Sequence, residues 1–145
     1  MDILDAIGNT PMARLRKITA PGGADVFVKI EGTNPTGSMK DRMARAVIAR
    51  AEADGRLRPG DTVVEYTGGS TGVSLSLVCA VKGYALHIVT SDAFAREKLE
   101  HMRILGARLQ VLASESGRMT EKLTRDMIAA AGIVAREPAA SGPIR

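Results

Sequence analysis

Glycines punctuate this chain at a spacing that leaves few folds open. Helix-like stretches at Ser38–Asp54, Thr71–Lys82 and about Phe94–Leu105 run into Gly55, Gly83 and Gly106, and a fourth, about Arg118–Ala131, runs into Gly132. A glycine just past a helix supplies the left-handed residue that ends it. Between these stretches lie short β-prone runs at Asp25–Ile30, Thr62–Glu65, Ala85–Thr90 and Arg108–Leu112, with Ile133–Ala135 as a further candidate. Strands alternating with helices of this length read as βαβ units with right-handed crossovers. The expected fold class is therefore α/β: an open, mainly parallel twisted sheet with helices on both faces, three layers in all. Residues 1–24 carry Thr-Pro and Pro-Gly-Gly turns and precede the alternation, so they read as an N-terminal arm. Residues 25–135 read as the α/β domain, and the Pro- and Ala-rich stretch 136–145 as a tail.

The chain's 145 residues suit one domain with a real core. The formal charge is +4, but its 20 basic residues are interspersed with 16 acidic ones and form no run of five like charges. Aromatics are 3% of the sequence, with no Trp, which leaves no stacking platform for single-stranded nucleic acid. Neither nucleic acid nor membrane is expected as a partner. The longest apolar stretch, near Val73–Val81, contains Ser74 and Ser76 and is too short to span a bilayer. The opening MDILDAIGNT has early acids and no apolar segment, so no secretory signal is expected. A single cysteine rules out an internal disulfide framework and any cysteine-cluster metal site, and it suits a cytoplasmic location.

Two segments carry candidate chemistry. In Gly32–Arg42, GTNPTGSMKDR, Asn34-Pro35 and Thr36-Gly37 mark a tight turn, Ser38 stands as the helix cap with Asp41 three residues on, and Lys40 falls in the first turn. A helix start carries partial positive charge and disfavours a cation. The same field favours the uncharged amine, the form that attacks a carbonyl. Position alone leaves two readings of Lys40: a reactive amine, or a surface lysine whose stem reaches solvent beside Asp41.

The second segment, Tyr66–Gly72, YTGGSTG, joins a strand to a helix. Free backbone amides at such a junction form a nest for a phosphate, sulfate or carboxylate, and the hydroxyls of Thr67, Ser70 and Thr71 add donors. No Gly-Lys-Ser/Thr follows, and Gly68, Gly69 and Gly72 do not make G-x-G-x-x-G, so neither nucleotide fingerprint applies. A plain turn capped by Thr71 fits the spacing equally well. Both segments fall where strands end, the edge at which open α/β sheets bind ligands.

At these residues the sequence resembles a known family. IGNTPMARL (Ile7–Leu15), KIEGTNPTGSMKDR (Lys29–Arg42) and EYTGGSTG (Glu65–Gly72) are similar to the cysteine synthase family, O-acetylserine sulfhydrylase and its relatives among the fold-type-II pyridoxal-phosphate enzymes. The similarity continues through Ser91–Leu112 and Ser116–Leu123 and covers about residues 3–135. Lys40 followed 31 positions later by Thr71 is a far more specific signal than either motif alone. The resemblance implies pyridoxal 5'-phosphate as cofactor. It implies that Lys40 forms the Schiff base and removes the substrate α-proton, and that Thr67, Gly68, Ser70 and Thr71 hold the substrate carboxylate. Ser70 also stands where the family's Asn contacts the cofactor, and Gly68 stands where the family usually has Ser.

The resemblance further implies a β-replacement that makes L-cysteine from O-acetylserine and sulfide, a small amino-acid substrate, a homodimer at full length, and serine acetyltransferase as a protein partner. The family is roughly twice as long, and its glycine-rich cofactor-phosphate loop has no counterpart here. The chain thus reads as the small domain plus the arm, without the C-terminal cofactor-phosphate domain. Competing expectations are a non-catalytic α/β remnant that binds a partner protein and, suggested by TGGSTG, a nucleotide-binding module. Cystathionine β-synthase and serine or threonine dehydratases are the alternatives within the family.

The remaining residues have structural expectations. Cys79, in an apolar helical run, reads as a buried inert thiol. His87 and His101 have no partner at metal-ligand spacing. Met39, Met43, Met102, Met119 and Met127 fit helical core faces, and Asp92 reads as a cap for the next helix. Arg42 fits either a prop for the first helix or a group facing the cofactor.

Overall fold

The structure, a computed structural model, describes residues 2–17 and 19–137. A three-stranded parallel sheet lies at its centre, with β3 (Thr62–Tyr66), β4 (Ala85–Ser91) and β5 (Arg108–Leu112) side by side in chain order. Before it come β1 (Met12–Leu15) and β2 (Val26–Lys29). Among the described residues there are four α-helices: α1 (Lys40–Ala53), α2 (Ser70–Lys82), α3 (Arg96–Ile104) and α4 (Glu121–Val134).

The layers follow from the alternation of side chains along β4. Leu86 and Ile88 point into one core with Val73, Val78 and Cys79 of α2 and Leu99 and Met102 of α3. Val89 points into a second core with Leu123, Met127 and Ala131 of α4. Period-two alternation on a strand covered on both faces gives this partition directly. α1 adds Ala44 and Ile48 to the first core and packs on α2. α2 is thereby enclosed between α1 and the sheet, and its two core serines are satisfied: Ser74 by Asp41, and Ser76 by donating to the Gly72 carbonyl at 2.7 Å. The α/β class and the three-layer arrangement match expectation.

Several elements differ from it. The segment around β2 was expected to join the parallel sheet; instead β2 pairs antiparallel with β1 in a separate two-stranded ribbon, Met12 opposite Lys29 and Leu15 opposite Val26. Gly55, Gly83 and Gly106 do adopt positive φ at helix ends, but Gly132 lies inside α4, which runs on to Val134. Of the strand expected at Ile133–Ala135, Ile133 and Val134 are therefore helical and Ala135 is the helix C-cap. Val134 extends the buried face of Leu123, Met127 and Ala131 at helical period, which carries the helix through Gly132, while Ile133 stays exposed. α4 starts at Glu121, not Arg118, because the Thr120 hydroxyl caps it by accepting from the Leu123 amide at 3.1 Å. The expected tail at 136–145 falls outside the described residues from 138 onward. Met39 and Met119 are exposed, whereas Met102 and Met127 are buried. Among the described residues no helix is long and apolar enough to cross a membrane.

Candidate active site

Parallel strands put their carboxyl ends on one edge, and the loop after β3 sits there. The Thr67 amide donates to the Val89 carbonyl at 3.0 Å, which ties the loop to the end of β4. α2 begins at Ser70 with Gly69 at its cap and no capping side chain, so Thr71 lies within the helix and is not its cap. Gly69 donates only a long 3.5 Å bond to the Thr67 hydroxyl. The amides of Gly68, Ser70 and Thr71 donate to no group among the described residues. An uncapped helix start with free amides and two half-buried hydroxyls, Ser70 and Thr71, suits a small anion.

Lys40 opens α1. The structure revises the expected capping box: Met39 occupies the cap position, and the Ser38 hydroxyl accepts from the Lys40 amide at 3.1 Å. Asp41 turns away from Ser38. Its fully buried carboxylate accepts from the Thr36 amide at 2.8 Å, the Thr36 hydroxyl at 2.5 Å and the Ser74 hydroxyl at 2.6 Å. Three donors satisfy a carboxylate held out of water at the positive end of a helix. Ser74 lies one turn beyond Ser70, so this bond fastens the start of α1 to the start of α2. The two motifs that stand apart in sequence are thus mechanically joined. The Lys40 side chain is half-buried, and its amine pairs with no group among the described residues.

A second network, invisible in the sequence, ties the arm and the turn before α1 to the first turn of α1. Arg42 donates to Glu31 through Nε at 2.8 Å and Nη2 at 3.0 Å, and to the Thr10 hydroxyl at 2.9 Å. Thr10 donates on to Glu31 at 2.8 Å, and Asn34 does the same at 2.8 Å. The Asn34 side-chain oxygen accepts from the Gly8 amide at 2.9 Å. The Arg42 guanidinium, and after it the Thr10 hydroxyl, hold the Glu31 carboxyl down at about 2. Arg42 therefore binds the arm to the first helix. No periodicity relates residues so far apart, so nothing in the sequence pairs IGNTP with IEGTNP.

Other expectations resolve simply. Cys79 is buried, and burial pushes its thiol up to about 12. His87 lies in β4, where burial, with Arg108 adding to it, lowers its pKa. Asp92 does not cap α3, whose cap position is Ala95. It accepts instead from the Ser114 amide at 2.7 Å, bracing the segment after β4.

Comparison with known proteins finds similar chains. Residues 3–140 match the family model described as pyridoxal-phosphate dependent enzyme. Cysteine synthase B of Pseudomonas aeruginosa is 40% identical over 129 residues, 86% of this chain and 43% of that protein. Cysteine synthase of Staphylococcus aureus is 44% identical over 108 residues, 74% of this chain and 35% of that protein. The crystal structure of O-acetylserine sulfhydrylase isoform 3 from Entamoeba histolytica superposes with a TM-score of 0.81 at 33% identity, over 93% of this chain and 40% of that one. The chain spans less than half the length of the relatives it matches.

Proposed function

Because this chain belongs to the family of pyridoxal-phosphate dependent enzymes, we propose that it carries the lysine and carboxylate-binding half of a cysteine synthase-like active site. The reaction is β-replacement, making L-cysteine and acetate from O-acetylserine and sulfide. The observation that carries this reading is the Asp41–Ser74 hydrogen bond of 2.6 Å, which fastens the helix opened by Lys40 to the helix opened by the anion-binding loop.

The donor set suits the cofactor's aldehyde end and an amino-acid carboxylate: one primary amine, three unpaired amides and the neighbouring hydroxyls. When bound, pyridoxal phosphate supplies the electron sink that lets a proton leave an amino acid's α-carbon. Lys40 anchors the cofactor and receives that proton. Thr67, Gly68, Ser70 and Thr71 hold the carboxylate and so orient the α-carbon toward the lysine. Ser70 stands where a longer amide side chain is usual in the family, and its shorter hydroxyl would be the polar group offered to the cofactor there. Acetate leaves the β-carbon with its bonding pair, hydrosulfide takes its place, and the proton returns from Lys40 to the α-carbon.

The chain is read as an arm, residues 1–24, and a small domain, residues 25–135. The cradle for the cofactor phosphate is assigned to a second half, in keeping with relatives more than twice as long. Homodimerisation, a cytoplasmic location and docking of serine acetyltransferase are proposed for the whole enzyme.

A visible absorbance spectrum of the chain with added pyridoxal phosphate, followed by borohydride reduction and peptide mapping, tests the reading. A Lys40-dependent band with reductive label at Lys40, absent from Lys40→Ala, is expected. A folded chain labelled equally in both forms, or at neither, overturns Lys40 as the anchor and favours the non-catalytic remnant.

A further inference from the structure

Resting on the reading of Thr67–Thr71 as a carboxylate loop, we infer that Phe94 is a positioning residue for that loop, matched to the absence of a side chain at Gly68. A Cβ placed on Gly68 falls inside the Phe94 ring. Gly68 is buried and its φ is not in the left-handed region, so the backbone itself would accept any residue there. What demands glycine at 68 is the ring.

The ring is itself held. Phe94 packs against both cores, straddling the end of the sheet. Its segment is braced by the Phe94 amide donating to the Ser91 carbonyl at 3.3 Å and the Ala93 amide to the Ser91 hydroxyl at 3.1 Å. A second contact of the same kind lies one turn along. A Cβ on Gly72 would come within 2.8 Å of both the Met102 sulfur and the Thr67 methyl. Phe94 lies just before α3 and Met102 in its last turn, so the chain after β4 moulds the loop after β3 and the first turn of α2 at two glycines. Between those contacts lie the free amides of Ser70 and Thr71, with that of Gly68 at the first contact. The ring fills the space on one side of the loop, where residue 68 presents its backbone amide and no side chain.

The test uses the 145-residue chain and four variants: Gly68→Ser, Phe94→Ala, Phe94→Leu and the double Gly68→Ser/Phe94→Ala. Thermal melts give a double-mutant cycle, and amide resonances with exchange rates report the loop without any ligand. Gly68→Ser should lower Tm by about 5–10 °C with Phe94 present, and by less than about 2 °C when residue 94 is already Ala. Phe94→Ala should move the Gly68, Ser70 and Thr71 resonances and speed their exchange about tenfold, leaving β5 unchanged, with Phe94→Leu restoring most of both. Additive melts, or unmoved loop amides in Phe94→Ala or, where that variant does not fold, in Phe94→Leu, overturn the inference. Titration with sodium acetate separates the two readings. Wild-type amides that ignore acetate overturn the carboxylate role of the loop, while the ligand-free amides and the melts still decide Phe94.

Discussion

Glu31 shows how one residue can hold three segments. It accepts from Arg42, Thr10 and Asn34, groups supplied by the arm, the turn before α1 and α1 itself. Its carboxyl, ordinarily near 4.5, is held at about 2 in the fold. A depressed folded value adds stability that is fully present above 4.5 and is lost as pH falls from 4.5 toward 2. Melts from pH 7 to pH 2 should therefore fall more steeply between pH 4.5 and 2 for the wild type than for Glu31→Gln; parallel curves would detach Glu31 from acid stability. The Asp41 cluster acts at the same scale with a different weakness, since Asp41 is fully buried and one of its three donors belongs to another helix. Neither network was legible in the sequence. Asp41 looks like half of a capping box by spacing, and only the packing of α1 on α2 gives its carboxylate a better donor.

At the scale of elements, glycine is where local signals succeed and fail. Gly83 and Gly132 look alike in sequence, each closing an apolar helical run. Gly83 ends α2 at φ +77°, with nothing within 4 Å of an added Cβ, so strain alone decides its replacement. Gly132 sits in helical backbone, where a Cβ would meet only the end of Arg136 at 4.0 Å. Gly83→Ala should cost about 1–2 kcal/mol, and Gly132→Ala should gain about 0.5–1 kcal/mol. Denaturant melts of the two variants check both signs, and a loss at 132 would mean that helical backbone is not its resting state. The strands β3, β4 and β5 and three of the four helices fell close to their expected bounds because period-two runs and glycine stops are local. The partnership of β2 is not local. A short β-prone run says nothing about which strand it pairs with, and here the chain doubles back onto β1 before the alternation begins.

For the whole molecule, the contrast is between a sheet buried on both faces and a ribbon exposed on both. Val26, Phe27 and Val28 of β2 are 40%, 54% and 40% exposed, while Ile88 and Val89 of β4 are fully buried. An isolated two-stranded ribbon is marginal by itself. It is anchored through its neighbours: Ile30 donates to the Pro11 carbonyl at 2.8 Å, Lys29 to the Thr10 carbonyl at 2.9 Å, and Arg42 holds Thr10. Arg42→Ala should speed amide exchange across Met12–Leu15 and Val26–Lys29 by about tenfold and leave β4 unchanged. Equal acceleration in β4, measured by exchange mass spectrometry, would show that the network supports the domain core instead.

Sequence by itself determined the alternation of strands and helices, the α/β class, and the two motifs from which Lys40 and the Thr67–Thr71 loop were read. Each of these rests on spacing within one element or on a contiguous run of residues. Tertiary structure alone decided that β2 leaves the sheet, that Arg42 serves the arm through Glu31 and Thr10, that Asp41 reaches Ser74, and that the Phe94 ring occupies the space beside Gly68. Those facts join residues 11 to 33 positions apart, brought together by packing between elements, and a polar or aromatic side chain carries no mark of which distant partner it will meet.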